Sequence, residues 1–321
     1  MTGPVAVVVP TWDGVDVLGA CLDGLLAQHR RADLVVVVDN GSTDGSARLA
    51  AGHPVGAFVV GLPVNRGFAG GVNAGLRHCL RLTDLHAVAL LNDDAVPDPG
   101  WLAGLVDELD RHPGAAAVAC TMVRTDGRLD STGELLSSWG IPFPRGRGEP
   151  DDGRYDDDRD VPAASGGASL FRAAALRGTG LFDEDFFAYY EDVDLCLRAR
   201  LLGWQVRYRP DARVVHLVGR TADRAPGLRE RHVLKNLVLL PARTYPRGLL
   251  RRAAPHVLLM FLRASVGYTR RGHGWAVLAA WSDLLRTLPR TLALRRSRLR
   301  ALPADALLEL LGPEPPPGSG R

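Results

Sequence analysis

Lysine is almost missing from this 321-residue chain: Lys235 stands alone among 39 basic residues. A GC-rich coding sequence accounts for arginine replacing lysine in general. Cysteine is scarce as well. Cys21, Cys79, Cys120 and Cys196 lie far apart with no Cys-x-x-Cys pair. That spacing argues against a cysteine zinc site or a disulfide framework and fits a reducing cytosol. No uninterrupted run of 18 apolar residues occurs, so no membrane-spanning helix is evident. The first residues carry no basic segment, and their apolar run is only a strand's length, so no signal peptide is expected.

What the chain does have is core material. Hydrophobic residues make up 46% and charged ones 23%, which excludes global disorder. The length suits one large domain of roughly 200–250 residues with an appendage, or two smaller domains. A net charge of +3 conceals a partition: residues 1–216 sum to −10 and residues 217–321 to +13. An acidic body therefore carries a basic tail, and the two parts are expected to meet different partners.

Apolar β-branched runs at 5–9, 34–38, 57–60 and 87–91 read as buried strands. Helical spacing at 18–28 and 68–82 alternates with them, which predicts an α/β domain with a mostly parallel central sheet. Ligands of such sheets bind outside the carboxyl ends of the strands. Residues 142–162, rich in Pro, Gly and charge, read as an exposed, mobile loop. A helix is expected over 192–202, then short strands at 206–208 and 213–216. From 228 onward the reading is helical, with breaks at Pro241, Pro246, Pro255 and Pro289. The boundaries follow as a catalytic domain at 1–220, a basic helical extension at 221–311 and a disordered tail at 312–321.

Five groups of residues carry chemistry. Asn92-Asp93-Asp94 closes the fourth strand, where adjacent carboxylates favour a divalent cation with oxygen ligands. Asp39 ends the second strand ahead of Asn40-Gly41-Ser42-Thr43-Asp44, with Ser42 or Asp44 suited to capping a helix. Asn65-Arg66-Gly67 opens a Gly-rich helix whose start permits close backbone approach to phosphate, or simply tight packing. Glu191, Asp192 and Asp194 follow an aromatic run that would desolvate a carboxylate and raise its pKa, as a general base needs. His216 sits at a strand end.

The order and spacing of these groups over residues 4–220 resemble family 2 glycosyltransferases of the GT-A fold, most of all bacterial rhamnosyltransferase-like enzymes of surface polysaccharide synthesis. The resemblance rests on Val8-Val9-Pro10-Thr11-Trp12, the 39–46 and 65–75 stretches, Asn92-Asp93-Asp94, the segments 180–184 and 190–195, and His216. It implies an inverting sugar transfer from a nucleotide-diphosphate donor (a dTDP- or UDP-sugar, rhamnose or another deoxyhexose first) to a glycan or lipid-linked acceptor. It also implies roles. Pro10, Thr11 and Asp39 would line the nucleotide pocket, and Arg66, Gly67 and Asn73 would lie along the donor. Asp94, with Asp93 beside it, would ligate Mg²⁺ or Mn²⁺, and His216 would complete the metal site. Asp192 would be the catalytic base, with Glu191 at the substrate. Asn92 stands where the family's Asp-x-Asp motif has its first acid; it can bond a ribose but brings no charge.

Two other readings were open on the residues: a sugar nucleotidyltransferase, disfavoured because no basic loop follows the first strand, and a catalytically silent sugar-nucleotide-binding protein. The basic, leucine-rich tail reads either as amphipathic helices on an anionic membrane or as an appendage packed on the catalytic domain. Nucleic acid is not an expected partner, because the arginines are interleaved with leucines. The expected location is cytoplasmic, peripheral on the inner face of the cell membrane.

Overall fold

The computed structural model describes residues 3–157, 159–217, 226–299 and 305–312. The chain alternates β1 (Val5–Thr11), α1 (Val15–Leu26), β2 (Leu34–Asp39), α2 (Ser46–Gly52), β3 (Phe58–Gly61), α3 (Gly67–Cys79) and β4 (Ala87–Leu91). Then come β5 (Ala95–Pro97), α4 (Trp101–Arg111), β6 (Ala115–Arg124), β7 (Leu129–Ser131), β8 (Glu134–Leu136) and β9 (Pro142–Pro144). The body closes with β10 (Ala168–Arg172), α5 (Ala173–Thr179), α6 (Glu191–Leu201) and β11 (Gln205–His216). Three helices follow: α7 (Leu228–Thr244), α8 (Arg247–Arg270) and α9 (Gly274–Leu299).

The sheet runs β3-β2-β1-β4-β10-β6-β11-β5, with β7 beside β6. Its first four strands are parallel, as the alternation predicts. Beyond them the sheet is mixed rather than mostly parallel, because β10 runs antiparallel to both β4 and β6. Valine after valine in β1 is explained by burial on both faces. Ala6 and Val8 enter the core beneath α3, α6 and α7, while Val5, Val7 and Val9 enter the one beneath α1 and α4. Thr11 is in register with Asp39, so the ends of β1 and β2 meet, with β4 on the other side of β1.

Three expectations need correction. Residues 142–149 are packed rather than exposed, whereas 150–157 form the exposed loop expected, with only Tyr155 half-buried. Pro142–Pro144 pairs with β8, and Arg145 is fully buried, its guanidinium over the rings of Tyr155 and Tyr208 and bonded to the Thr132 carbonyl. The two short strands at 206–208 and 213–216 are one, β11, with its register shift between Arg209 and Arg213; Pro210, unable to donate to a ladder, sits at that irregularity. Of the four expected proline breaks, only Pro246 separates two helices. Pro241, Pro255 and Pro289 lie inside α7, α8 and α9, where tertiary packing overrides the local cost of proline.

The boundary drawn at residue 220 falls outside the described residues, as does the tail beyond Gly312. The described part of the C-terminal region is tied closely to the body. Arg243 of α7 is fully buried and donates to Asp183 and Asp185 at 2.6 Å each and to Thr291 of α9 at 3.0 Å. Thr244 bonds Asp194 at 2.5 Å.

Candidate active site

A cleft opens at the carboxyl ends of β1, β2 and β4. It is lined by Pro10, Thr11, Trp12, Asn40, Asn65 and Gly67 on one side, by Asn92, Asp93 and Asp94 at the floor, and by residues 187–189 and the start of α7 opposite. Thr11 Oγ1 donates to Asp93 Oδ2 at 2.6 Å, fixing one carboxylate of the acidic pair against β1.

The other carboxylate meets β11. Asp94 is buried, and its Oδ1 lies 3.2 Å from His216 Nε2; on the far side of the ring, His216 Nδ1 lies 2.8 Å from Asp130 Oδ2. Burial pulls the His216 pKa down, but the two carboxylates outweigh it and raise it to about 9. Asp130 is held low against its own burial by the His216 bond and charge and by Arg147, 3.6 Å away. No motif marks Asp130: it lies in the short strand β7, and the β6–β7 pairing brings it under His216.

A second missing piece is the turn at Ser165-Gly166-Gly167, just before β10. The Gly167 carbonyl accepts from Asn92 N at 2.8 Å, and Gly166 N donates to Asp192 Oδ2 at 2.8 Å. One tight turn thus joins the Asn92-Asp93-Asp94 motif to Asp192. A Cβ on Gly166 would stand 2.9 Å from the ring of Phe68, which lines the cleft, and 3.5 Å from Asp192 Cβ. The adjacent glycines ahead of an apolar strand were the available signal.

Asp192 opens α6, half-buried, and its Oδ1 accepts from Val193 N at 2.8 Å. Burial raises its pKa, against those two N–H bonds that pull it down. Two further acids crowd the same region. Glu191 is buried, its Oε2 without a hydrogen-bond partner, and burial together with the Asp192 charge pushes its pKa well up. Glu134 is pushed well up by burial and then by the charges of Asp192 and Asp130. Carboxyls whose surroundings separate their pKa values divide into acid and base roles. Here Asp192 is the member best supplied with N–H donors.

The wall opposite is strained. Phe187, Tyr189 and Tyr190 all have left-handed backbones, with φ of 67°, 72° and 69°. Such conformations in bulky residues cost about 1–3 kcal/mol each and persist only where surroundings impose them. Helix α7 imposes them. The Asn236 amide, fully buried, donates to the carbonyls of Phe186, Ala188 and Tyr189 at 2.8–2.9 Å. Lys235 Nζ donates to the Asp185 and Phe186 carbonyls, and the His232 ring stacks on Phe187 at 4.3 Å. The chain's one lysine has a structural use: a compact ammonium fits between two carbonyls where a planar guanidinium does not. Gly67, which also lines the cleft, abuts this wall: it has φ +71°, and a Cβ there would stand 2.4 Å from the Phe187 carbonyl. Replacing Asn236 with Ala removes the shared donor, and about 1–3 kcal/mol is lost per stranded buried carbonyl. Asn236→Ala is therefore expected to lower the melting temperature and cut turnover at least tenfold; a variant with wild-type turnover would show that α7 is a passive support.

Several residues expected at the donor are placed elsewhere. The Asn73 side chain is buried away from the cleft, donating to the Phe182 carbonyl and Glu184 and accepting from Phe182 N. Arg66 points to Glu184, at 2.5 Å, rather than into the cleft; its backbone N–H instead donates to Asn40 Oδ1. Asp39 is buried at the end of β2, with Oδ1 accepting from Ser42 N at 3.1 Å, and it is Asn40 that faces the cleft. Asp44 is not the cap of α2, a place taken by Gly45; its carboxylate accepts from Ser46 N and Oγ and from Val15 N at the start of α1. Thr11, Gly67, Asn92, Asp93 and Asp94 come together as expected.

The family model described as "Glycosyltransferase like family 2" matches residues 3–234. The chain belongs to glycosyltransferase family 2. Among its relatives, an N-acetylglucosaminyl-diphospho-decaprenol L-rhamnosyltransferase of Mycobacterium tuberculosis is 28% identical over 254 residues, 70% of this chain and 80% of that protein. A pre-mycofactocin glycosyltransferase of the same species is 33% identical over 189 residues, 57% of this chain and 37% of the relative. Among solved structures, the mannosyltransferase PcManGT from Pyrobaculum calidifontis, in complex with GDP-Man and Mn²⁺, aligns with a TM-score of 0.55 at 22% identity, covering 92% of this chain and 79% of that one. S. aureus TarS 1-349 in complex with UDP-GlcNAc gives 0.55 at 17% identity, covering 91% and 83%. The fold of this family 2 member is therefore GT-A, a mixed sheet flanked by helices with a helical C-terminal region.

Proposed function

We propose that this glycosyltransferase moves a sugar, with inversion, from a nucleotide-diphosphate donor to a hydroxyl of a glycan or lipid-linked acceptor in cell-surface polysaccharide synthesis. Rhamnose on a thymidine diphosphate is the first donor to try, on the similarity to the rhamnosyltransferase. The observation that carries the reading is the shared turn: residues 165–167 hold Asn92 on one side and Asp192 on the other. A charge-handling site that lines the cleft and a candidate base are thus joined through one turn.

The donor set at the charge-handling site suits Mg²⁺ or Mn²⁺. Two ligands on adjacent octahedral positions, each about 2.1 Å from the ion, stand about 3 Å apart, and Asp94 Oδ1 and His216 Nε2 are 3.2 Å apart. Among the described residues no three His, Cys, Asp or Glu side chains form a complete cage, so substrate phosphates and water would fill the remaining positions. A bound cation there would neutralise charge on the departing diphosphate. Asp130 holds His216 so that Nε2 faces Asp94. Asp130→Asn is expected to weaken Mn²⁺ binding about 10–100-fold, read by electron paramagnetic resonance of free Mn²⁺. Unchanged affinity would remove Asp130 from the site.

In the reaction, Asp192 takes the proton of the acceptor hydroxyl as its oxygen bonds to the anomeric carbon. The bond from that carbon to the phosphate oxygen breaks, and its electron pair leaves with the nucleoside diphosphate. A single displacement inverts the configuration. Residues 187–189 and α7 close the far wall, and the Thr11–Asp93 bond sets the floor. The test is a panel of nucleotide-sugars with added Mn²⁺, scored for released nucleoside diphosphate. Turnover of one or a few members supports the reading. Sugar-1-phosphate formation would point to a nucleotidyltransferase, and binding without turnover to a silent sugar-nucleotide-binding protein.

A further inference from the structure

Eleven of the eighteen large apolar side chains left exposed among the described residues lie on α8 and α9. Their spacing is regular. On α8, Leu258, Leu262 and Val266 are four residues apart and 51–59% exposed. On α9, Leu278, Trp281 and Leu285 are three and four apart and 49–73% exposed. Each set forms a stripe along one helix. The ring of Trp281 meets the buried ring of Phe261 edge-on at 5.1 Å, so the α9 stripe borders α8 at the edge of that helix's buried side. The opposite sides are spoken for: Leu249, Ala253, Val257 and Phe261 of α8, and Ala276 and Ala280 of α9, are buried. One side of the two helices thus packs on the body, and the other is left exposed. A monomeric surface rarely leaves so many large apolar groups in one place without a partner.

Charge selects that partner. Between Arg247 and Leu299 the only acid is Asp283, and Arg231 of α7 holds it at 2.8 Å and 3.0 Å. Arg251, Arg263, Arg270, Arg271 and Arg286 are exposed on the same two helices and the turn between them. A second copy brought face to face would set arginine against arginine. Anionic lipid headgroups oppose them with negative charge, and arginine stems can lie along the interface while their heads reach phosphate. Among the described residues no helix is long and apolar enough to cross a membrane, which leaves helices lying in the interface.

We propose that the leucine-and-tryptophan stripes of α8 and α9 form a membrane-docking face that lies in the headgroup region of an anionic bilayer. The helix they pack on, α7, also lines the cleft, so docking would fix the catalytic site beside the lipid surface. The inference is independent of the donor and of the chemistry.

The test is flotation of the full chain with vesicles of pure phosphatidylcholine and with vesicles containing about one-third phosphatidylglycerol. Wild type is expected to float with the anionic vesicles and to be released by high salt. Leu262→Asn/Leu278→Asn/Leu285→Asn changes only exposed side chains and is expected to bind at least tenfold more weakly, with its melting temperature unchanged. Arg263→Gln/Arg270→Gln is expected to lose roughly fivefold per arginine, and only on anionic vesicles. Equal flotation of wild type and the leucine variant would overturn the proposal. So would sedimentation showing a dimer that the leucine variant abolishes while neither protein floats, since the face would then belong to a second copy.

Discussion

Asp192→Asn is expected to lose about 10²–10⁴-fold in turnover while binding donor as tightly as wild type, since general-base catalysis contributes on that order. The substitution is nearly isosteric. Its Oδ1 can still accept from Val193 N, but its amide at the Oδ2 position would face Gly166 N–H and cannot accept from it. The turn at 165–167 is therefore the element to watch, and Asp192→Ala, which leaves both N–H groups to water, separates lost basicity from a displaced turn. Both variants should be slow if Asp192 is the base; an alanine variant markedly faster than the asparagine one would show that turn displacement, not basicity, is the cause. Acid pH gives a second handle. Burial raises the Asp192 pKa, and the base works only when ionised. Turnover should therefore fall as pH drops through a value above the ordinary aspartate range, and the Asp192 variants should lose that limb. Donor affinity measured by calorimetry and turnover under saturating donor together decide the matter.

Asp94→Ala is expected to abolish the stimulation by Mn²⁺ and to lower kcat/KM by about 10³-fold or more, because cation neutralisation of a departing diphosphate supplies several kcal/mol of transition-state stabilisation. The loss should not be rescued by excess metal. His216 then keeps Asp130 as its one carboxylate partner, and Asn92 brings no charge to replace the one removed. Asp93 is the natural substitute, but it is held against Thr11 Oγ1 at 2.6 Å, pointing toward β1 rather than β11. Asp93→Ala should accordingly cost less in metal affinity than Asp94→Ala. The reverse order, or activity of wild type indifferent to a chelator, would move the cation away from Asp94 and His216.

Strands β1, β2 and β4 were legible from sequence because they are buried on both faces and read as unbroken apolar runs. Strand β3, read as buried too, is the half-exposed edge strand of the left half of the sheet. The right half was hidden for a physical reason. Strand β6 opens on Ala115-Ala116-Ala117, residues with little strand preference that are buried only because α4, α5 and the neighbouring strands crowd them. Without β6 and β7, Asp130 had no route to His216. Motif spacing singled out Asp94, Asp192 and His216, each at or next to the end of a strand or the start of a helix. It misled at Asn73 and Arg66, since a helix start reads the same whether its side chains face a ligand or a neighbouring loop. The role of α7 was invisible for another reason: Lys235 and Asn236 act on backbone carbonyls, and no sequence pattern records which carbonyls lack partners.

The proposed transfer breaks the bond that joins the anomeric carbon to the diphosphate, with water or acceptor arriving from the opposite face. Proton magnetic resonance of slow donor hydrolysis tests it without knowledge of the acceptor. The first sugar released, observed before its anomers equilibrate, should have the configuration opposite to the donor's and should appear with nucleoside diphosphate in equal amount. Retained configuration, or nucleoside monophosphate released with a sugar phosphate, would contradict it.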